Sequence, residues 1–193
     1  MNAPESTGAD APDPIADTRD WLDKAVIGLN LCPFAKSAQA KDQVRYVLSN
    51  TTDPAVLLAE LEHELQHLVA TDPEQTDTTL IVHPQVLQDF LDFNDFLGIA
   101  DELLERLGLE GTLQVASFHP QFQFAGTDAD DISNYTNRSP YPTLHLLREA
   151  SIDRAVEAFP DAEAIYERNI ETMEQLGHEG WAALFPAHQP PHR

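Results

Sequence analysis

One cysteine, Cys32, is all the thiol chemistry this chain of 193 residues carries, so no disulfide can form within it. The start of the chain also lacks a basic segment followed by an apolar one, the pattern of a secretory signal. Together these make the reducing cytoplasm the expected location. No apolar run approaches the ~20 residues that a membrane-spanning helix needs. Basic residues are scarce as well, with 11 Lys and Arg against 33 Asp and Glu, a formal net charge of −22. A charge of that size and sign repels phosphate backbones and anionic lipid, so neither nucleic acid nor membrane is an expected partner. Solubility, or adaptation to salt, accounts for the acidity without further function.

What is present is enough for a core, since 42% of residues are apolar and 8% aromatic. The first stretch, residues 1–17, is polar, acidic and proline-bearing, and is expected to be a disordered tail. Residues 18–185 read as one α/β domain, and 186–193 as a flexible end. Within the domain, helical spacing of Trp21, Leu22, Ala25, Val26 and Leu29 predicts a helix over about 18–30. Pro33 predicts a second helix start, with Cys32 at its N-cap. Val44, Tyr46 and Leu48 alternate as a strand, and Asp53-Pro54 opens a helix with Leu57, Leu61, Leu65 and Leu68 on its buried stripe. The β-branched run Thr78–Val82 predicts a second strand. A long amphipathic helix follows from Val86 to Leu107, stopped by Gly108, and Leu113–Phe118 is a third strand. Irregular chain to about Pro142 is expected next. Helices are then predicted over 144–159 and over about 162–176, the last ending at Gly177. Strands separated by helices predict a small, mostly parallel sheet of three or four strands flanked by about five helices. A fourth, antiparallel strand could lie near Phe122 and Phe124.

Several motifs could carry chemistry. His63-Glu64-Leu65-Gln66-His67 fits the HExxH pattern of zinc peptidases. Its histidines, however, fall on the side of the helix opposite the leucine stripe, so a solvated face is expected. His83-Pro84 and His119-Pro120 each end a predicted strand. If those strands run the same way, both histidines reach the carboxyl edge of the sheet, where α/β folds bind ligands. The stretch from His119 to Arg148 is the richest. Over twenty residues without regular structure, yet dense in aromatics, is the mark of an ordered functional loop. Asn134, Asn137, Arg138 and Ser139 lead into the expected helix start at Thr143, whose free amides beside an arginine would suit a carboxylate or phosphate. On that helix His145 and Arg148 would share a face. Cys32, at a predicted helix N-terminus, is a candidate nucleophile.

The strings AVIGLNLCPFA from Ala25, HPQV from His83, FNDFL from Phe93 and QVASFHP from Gln114 carry a resemblance. So do FAGT from Phe124, NYTNRSPYP from Asn134 and LHLLREASI from Leu144. Together they resemble the bacterial domain-of-unknown-function 1415 family over about Trp21 to Trp181, which implies one cytoplasmic bacterial domain and no assigned activity. The fragment Cys32-Pro-Phe-Ala is also similar to the active-site turn of omega-type glutathione transferases. In that family the cysteine follows a strand, whereas a helix is predicted ahead of this one.

The leading expectation is a small-molecule enzyme or ligand-binding domain for an anionic substrate. In it Arg138, Ser139, Thr143 and Arg148 hold the anion, and Asn134, Asn137 and His83 orient the ligand. His119 or His145 acts as acid or base, with Cys32 as nucleophile. The alternatives are a metal-binding protein using His83, His119 and His145, a cysteine-dependent thiol transferase-like enzyme, and a non-catalytic acidic module that meets a basic partner.

Overall fold

A computed structural model describes residues 12–158 and 162–185. The expected tails therefore lie outside the described residues for 1–11 and 186–193. Of the described residues of the first tail, 14–17 are helical. Asp13 caps helix α1 (Pro14–Trp21), its carboxylate accepting from the Ile15 and Ala16 amides at 3.1 Å. The Asp-Pro pair is the same start signal that opens α3.

α1 runs on without a break into a π-helical turn, Leu22–Ile27. Gly28 follows, where an added Cβ would run into the Lys24 carbonyl. Glycine is thus the residue that lets the widened turn close. After α2 (Ala35–Ala40) come strand β1 (Val44–Leu48) and α3 (Pro54–Ala70), then β2 (Thr78–Val82) and α4 (Phe90–Leu107), then β3 (Leu113–Phe118). A 3-10 turn (Ile132–Asn137) leads to β4 (Thr143–Arg148), α5 (Glu149–Ala158) and α6 (Ala162–Leu184).

The fourth strand corrects two expectations. Residues 144–148 are not helical, and the extra strand is not at Phe122 and Phe124. Strand order is β1-β2-β4-β3, with β1 and β2 parallel and β4 antiparallel to both of its neighbours. The sheet is therefore mixed rather than mostly parallel. The physical reason lies in the gap between β2 and β3. Both strands present unpaired backbone there, and Thr143–Arg148 satisfies the two edges at once. Six α-helices stand among the described residues, against about five expected.

Alternation along the strands builds two cores. Ile81, Leu113, Leu144 and Leu146 face α3 and α4, meeting Leu57, Leu61, Leu65 and Leu68 from one and Phe93, Phe96, Ala100 and Leu103 from the other. Each buried Leu, Ile or Phe among them contributes about 1.5–3 kcal/mol from loss of water contact. On the opposite face Tyr46 and Phe118 pack against Trp21, Leu22, Ala25 and Val26. α6 breaks where it was expected to end. Gly177 sits at φ 62, ψ 176, a conformation open essentially to glycine alone. The helix then resumes to Leu184, which brings Trp181 against Tyr135 at 5.4 Å between ring centres. No helix among the described residues is long and apolar enough to cross a membrane.

Candidate functional site

β2 and β3 point the same way across the intervening β4, so His83 and His119 do emerge at one edge of the sheet. Both are fully buried. His119 Nδ1 accepts from the Gln121 amide at 3.0 Å, which leaves the proton on Nε2, and Nε2 donates to the Leu87 carbonyl at 3.2 Å. His83 Nδ1 donates to the Val86 carbonyl at 3.0 Å, while its Nε2 has no hydrogen-bond partner. The Phe93 ring lies between the two imidazoles, 5.7 Å from His83 and 5.1 Å from His119. Burial is the main reason that both titrate below the ordinary histidine range, His83 at about 4. The pair latches the turn 84–89 to the sheet, holding Leu87 at φ 55, an uncommon backbone for a leucine.

The remaining expected residues separate. His145 is in β4, not on a helix, and its partner is Thr78, whose Oγ1 lies 2.6 Å from Nε2. That hydroxyl already donates to the Leu146 carbonyl at 2.6 Å, so the imidazole is the donor to Thr78. Desolvation lowers His145 to about 4. Arg148, three residues along the strand, points to the other face, and the helical face it was to share with His145 does not exist. Its guanidinium donates to the Leu68, Thr71 and Thr76 carbonyls at 2.6 to 3.0 Å, sealing the C-terminal end of α3. Arg138 donates to the Phe122 and Ala129 carbonyls and lies 4.2 Å above the Tyr135 ring. Thr143 and Ser139 both donate to the Tyr141 carbonyl. Thr143 opens a strand, so it offers no free helix-start amides. Asn134 is fully buried and organises the loop, accepting from the Phe124 amide and Thr127 hydroxyl and donating to the Asp128 carbonyl, all at 2.9 Å.

The HExxH segment has no metal geometry. Glu64, 4% exposed, is held by Arg45 through two hydrogen bonds of 2.8 and 3.1 Å, while His63 is exposed. Among the described residues no three His, Cys, Asp or Glu side chains come together to hold a metal ion, the trio His83, His119 and His145 included.

Cys32 is not a helix cap. Its amide still bonds back to the Val26 carbonyl at 3.3 Å across the left-handed Asn30, and α2 begins only at Ala35 with Phe34 before it. Cys32 does, however, line a cavity of about 310 Å³, and Asn137 from the loop lines it too. Phe118, Phe124, Ser133 and Thr136 line it as well, and Tyr166, Asn169 and Ile170 of α6 complete the lining. Asn137 donates to the Ser117 carbonyl and accepts from Thr136, which fixes its amide at the end of β3. No histidine lines this cavity, and no hydrogen bond joins Cys32 to a histidine among the described residues. Of the expected site residues, the fold brings Cys32 and Asn137 together and, separately, His83 and His119. The α6 wall went unread in the sequence, although Asn169 interrupts an otherwise apolar stripe of Ile165, Ile170 and Met173.

These features define an α/β domain with a small mixed sheet and one largely apolar cavity under its last helix. The chain belongs to the family described as a protein of unknown function (DUF1415), which it matches over residues 13–183. No curated protein and no solved structure matches it.

Proposed function

We propose that this protein is a small-molecule binding domain whose site is the cavity lined by β3, the Ile132–Asn137 turn and α6. The observation that carries the reading is the meeting of Cys32 and Asn137, 105 positions apart in sequence, on the walls of one aromatic-lined space. A volume of about 310 Å³ is at the lower end of ligand pockets, and apolar walls with a few fixed polar groups are their usual makeup. The His119–Arg148 segment contributes Phe124, Ser133, Thr136 and Asn137 to it. Arg138 and Arg148 take no part, because their donors are directed to backbone carbonyls. The ligand is accordingly held by shape, aromatic contact and neutral hydrogen bonds rather than by a paired anion. Cys32 is the group in this lining able to act as a nucleophile, and with no histidine beside it binding comes ahead of catalysis.

Alkylation of Cys32 by iodoacetamide, followed by intact-mass spectrometry, tests the reading with indole as a rigid aromatic probe. Indole is expected to slow alkylation in a saturable manner, and Phe124→Ala should weaken that protection. An alkylation rate unchanged by indole up to its solubility limit overturns the proposal.

A further inference from the structure

His119 joins the buried sheet edge to the cavity. Its backbone amide donates to the carbonyl of Asn137, a lining residue, at 3.2 Å, and its carbonyl accepts from the Phe122 amide at 3.1 Å. Its ring closes the same turn from within, Nδ1 accepting from the Gln121 amide at 3.0 Å. Phe118, immediately before it, lines the cavity, and so does Phe124, whose ring meets that of Phe122 at 4.9 Å between centres. One imidazole thus pins the turn between two of the cavity's aromatic side chains.

The pin holds only while the ring is neutral. Nε2 already carries a proton and donates it to the Leu87 carbonyl, so a second proton has to enter at Nδ1. Nδ1 and the Gln121 amide would then meet donor to donor, and their hydrogen bond is lost. Among the described residues, the titratable groups that face the ring are Asp89, at the start of α4, and His83, at the end of β2. Asp89 favours the added proton, and His83 is kept neutral by its own burial. The fixed charge of Arg138 reaches the turn from the other side, at the Phe122 carbonyl. No carboxylate or imidazole lines the cavity among the described residues, so a change there in the acid range has to arrive from outside its lining. Asp131 caps the turn that supplies Ser133. The Ser133 amide donates to it and holds it below the ordinary carboxylate range, so it stays charged where histidines titrate.

We infer that His119 is a proton-operated pin for the cavity: one proton at Nδ1 frees the Gln121 amide, loosens the turn between Phe118 and Phe124, and weakens the binding of a neutral ligand. This inference rests on the cavity being a ligand site.

NMR of the histidine rings follows protonation of His119 in the full chain. Amide exchange is read at Gln121 and, to monitor opening of the whole fold, at Ile81 in the internal strand β2. After correction for intrinsic pH dependence, Gln121 is expected to exchange about tenfold faster relative to Ile81 once the ring is charged, the equivalent of one lost hydrogen bond. Indole, neutral throughout, should bind about tenfold more weakly in step with that titration. Saturating indole should in turn move the titration about one pH unit lower, because such coupling is reciprocal. His119→Asn offers Gln121 an acceptor at the same spacing that takes up no proton, so these effects should vanish. His178→Asn, which alters the imidazole packed on Tyr135, should keep them. The inference is overturned, and the cavity reading stands, if Gln121 exchange ignores the His119 titration or the ring stays neutral until the fold is lost. The same follows if indole leaves the titration unmoved or if acid still weakens indole binding in His119→Asn. If indole binds at no pH, both fall.

Discussion

Acid should loosen this fold through two histidines that are built in uncharged. His83 titrates at about 4 in the folded chain, and so does His145, because burial disfavours their charged forms. In the unfolded chain each returns to about 6.5. Between those values the unfolded state holds the extra proton, so acidification draws the equilibrium toward it. The stabilisation is fully present above about pH 6.5 and is lost as the pH falls toward 4. The difference corresponds to about 3 kcal/mol per histidine at the acid limit, and to about 2 kcal/mol each at pH 5. Two such groups remove about 4 kcal/mol by pH 5, a large part of a typical stability of about 5–15 kcal/mol. Protonation also has a structural meaning at each place. His83 has no acceptor for a second proton, since its Nε2 is enclosed and unpartnered. His145 already uses its one N–H on Thr78. The assay is urea unfolding of the wild type and of the double variant His83→Asn, His145→Gln, from pH 7 to pH 5. The asparagine nitrogen can stand in for Nδ1 toward Val86, and the glutamine nitrogen for Nε2 toward Thr78. The carboxylates are common to both proteins and cancel in the comparison. The wild type should lose about 4 kcal/mol more than the variant over this range. Parallel stability curves would refute the reasoning.

Other outcomes follow from single contacts. Arg148→Ala removes the donor that closes α3 over three carbonyls, and should cost about 2–4 kcal/mol in thermal or urea unfolding, with Arg148→Lys recovering only part. Asn134→Ala strands the Phe124 amide and takes the donor from the Asp128 carbonyl, so a loss of about 2–3 kcal/mol is expected, with faster proteolysis between 122 and 131. Gly177→Ala forces a side chain into a glycine-only conformation, and the Trp181 environment should change in fluorescence as the contact with Tyr135 loosens. His63→Ala and His67→Ala should leave stability unchanged with or without chelator, whereas Glu64→Gln should lower it by weakening the Arg45 pair.

Much of the scaffold was legible because strong local signals agreed with the tertiary context. β1, β2 and β3 fall where alternation and β-branching put them, and α4 ends at Gly108 as expected. α1 was under-read at its start, although Asp13-Pro14 repeats the Asp53-Pro54 signal that opens α3. β4 was misread for a deeper reason. Thr143–Arg148 satisfies both periods, since Leu144 with Leu147 and Arg148 reads as a helix face and Leu144 with Leu146 as a strand face. Only the vacant edges of β2 and β3, a tertiary fact, decide between them. That one element also dispersed the expected anion site, because a strand sends His145 and Arg148 to opposite sides. The arginines stand out in so acidic a chain, but backbone carbonyls claim them. Their acceptors lie as far as 80 positions away, at Leu68, and no local pattern reveals such a partner. Cys32 and Asn137 stand out in the sequence for reasons unconnected with their meeting place, which α6 creates from a segment that carries no motif.

Amide chemical-shift mapping on the full chain, titrated with indole, tests the central claim most directly. Perturbations should gather at Cys32, Phe118, Thr136, Asn137, Asn169 and Ile170, and should saturate along one curve. Shifts confined to the His83–His119 edge, or no saturable shift at all, would contradict the assignment of the site to the space beneath α6.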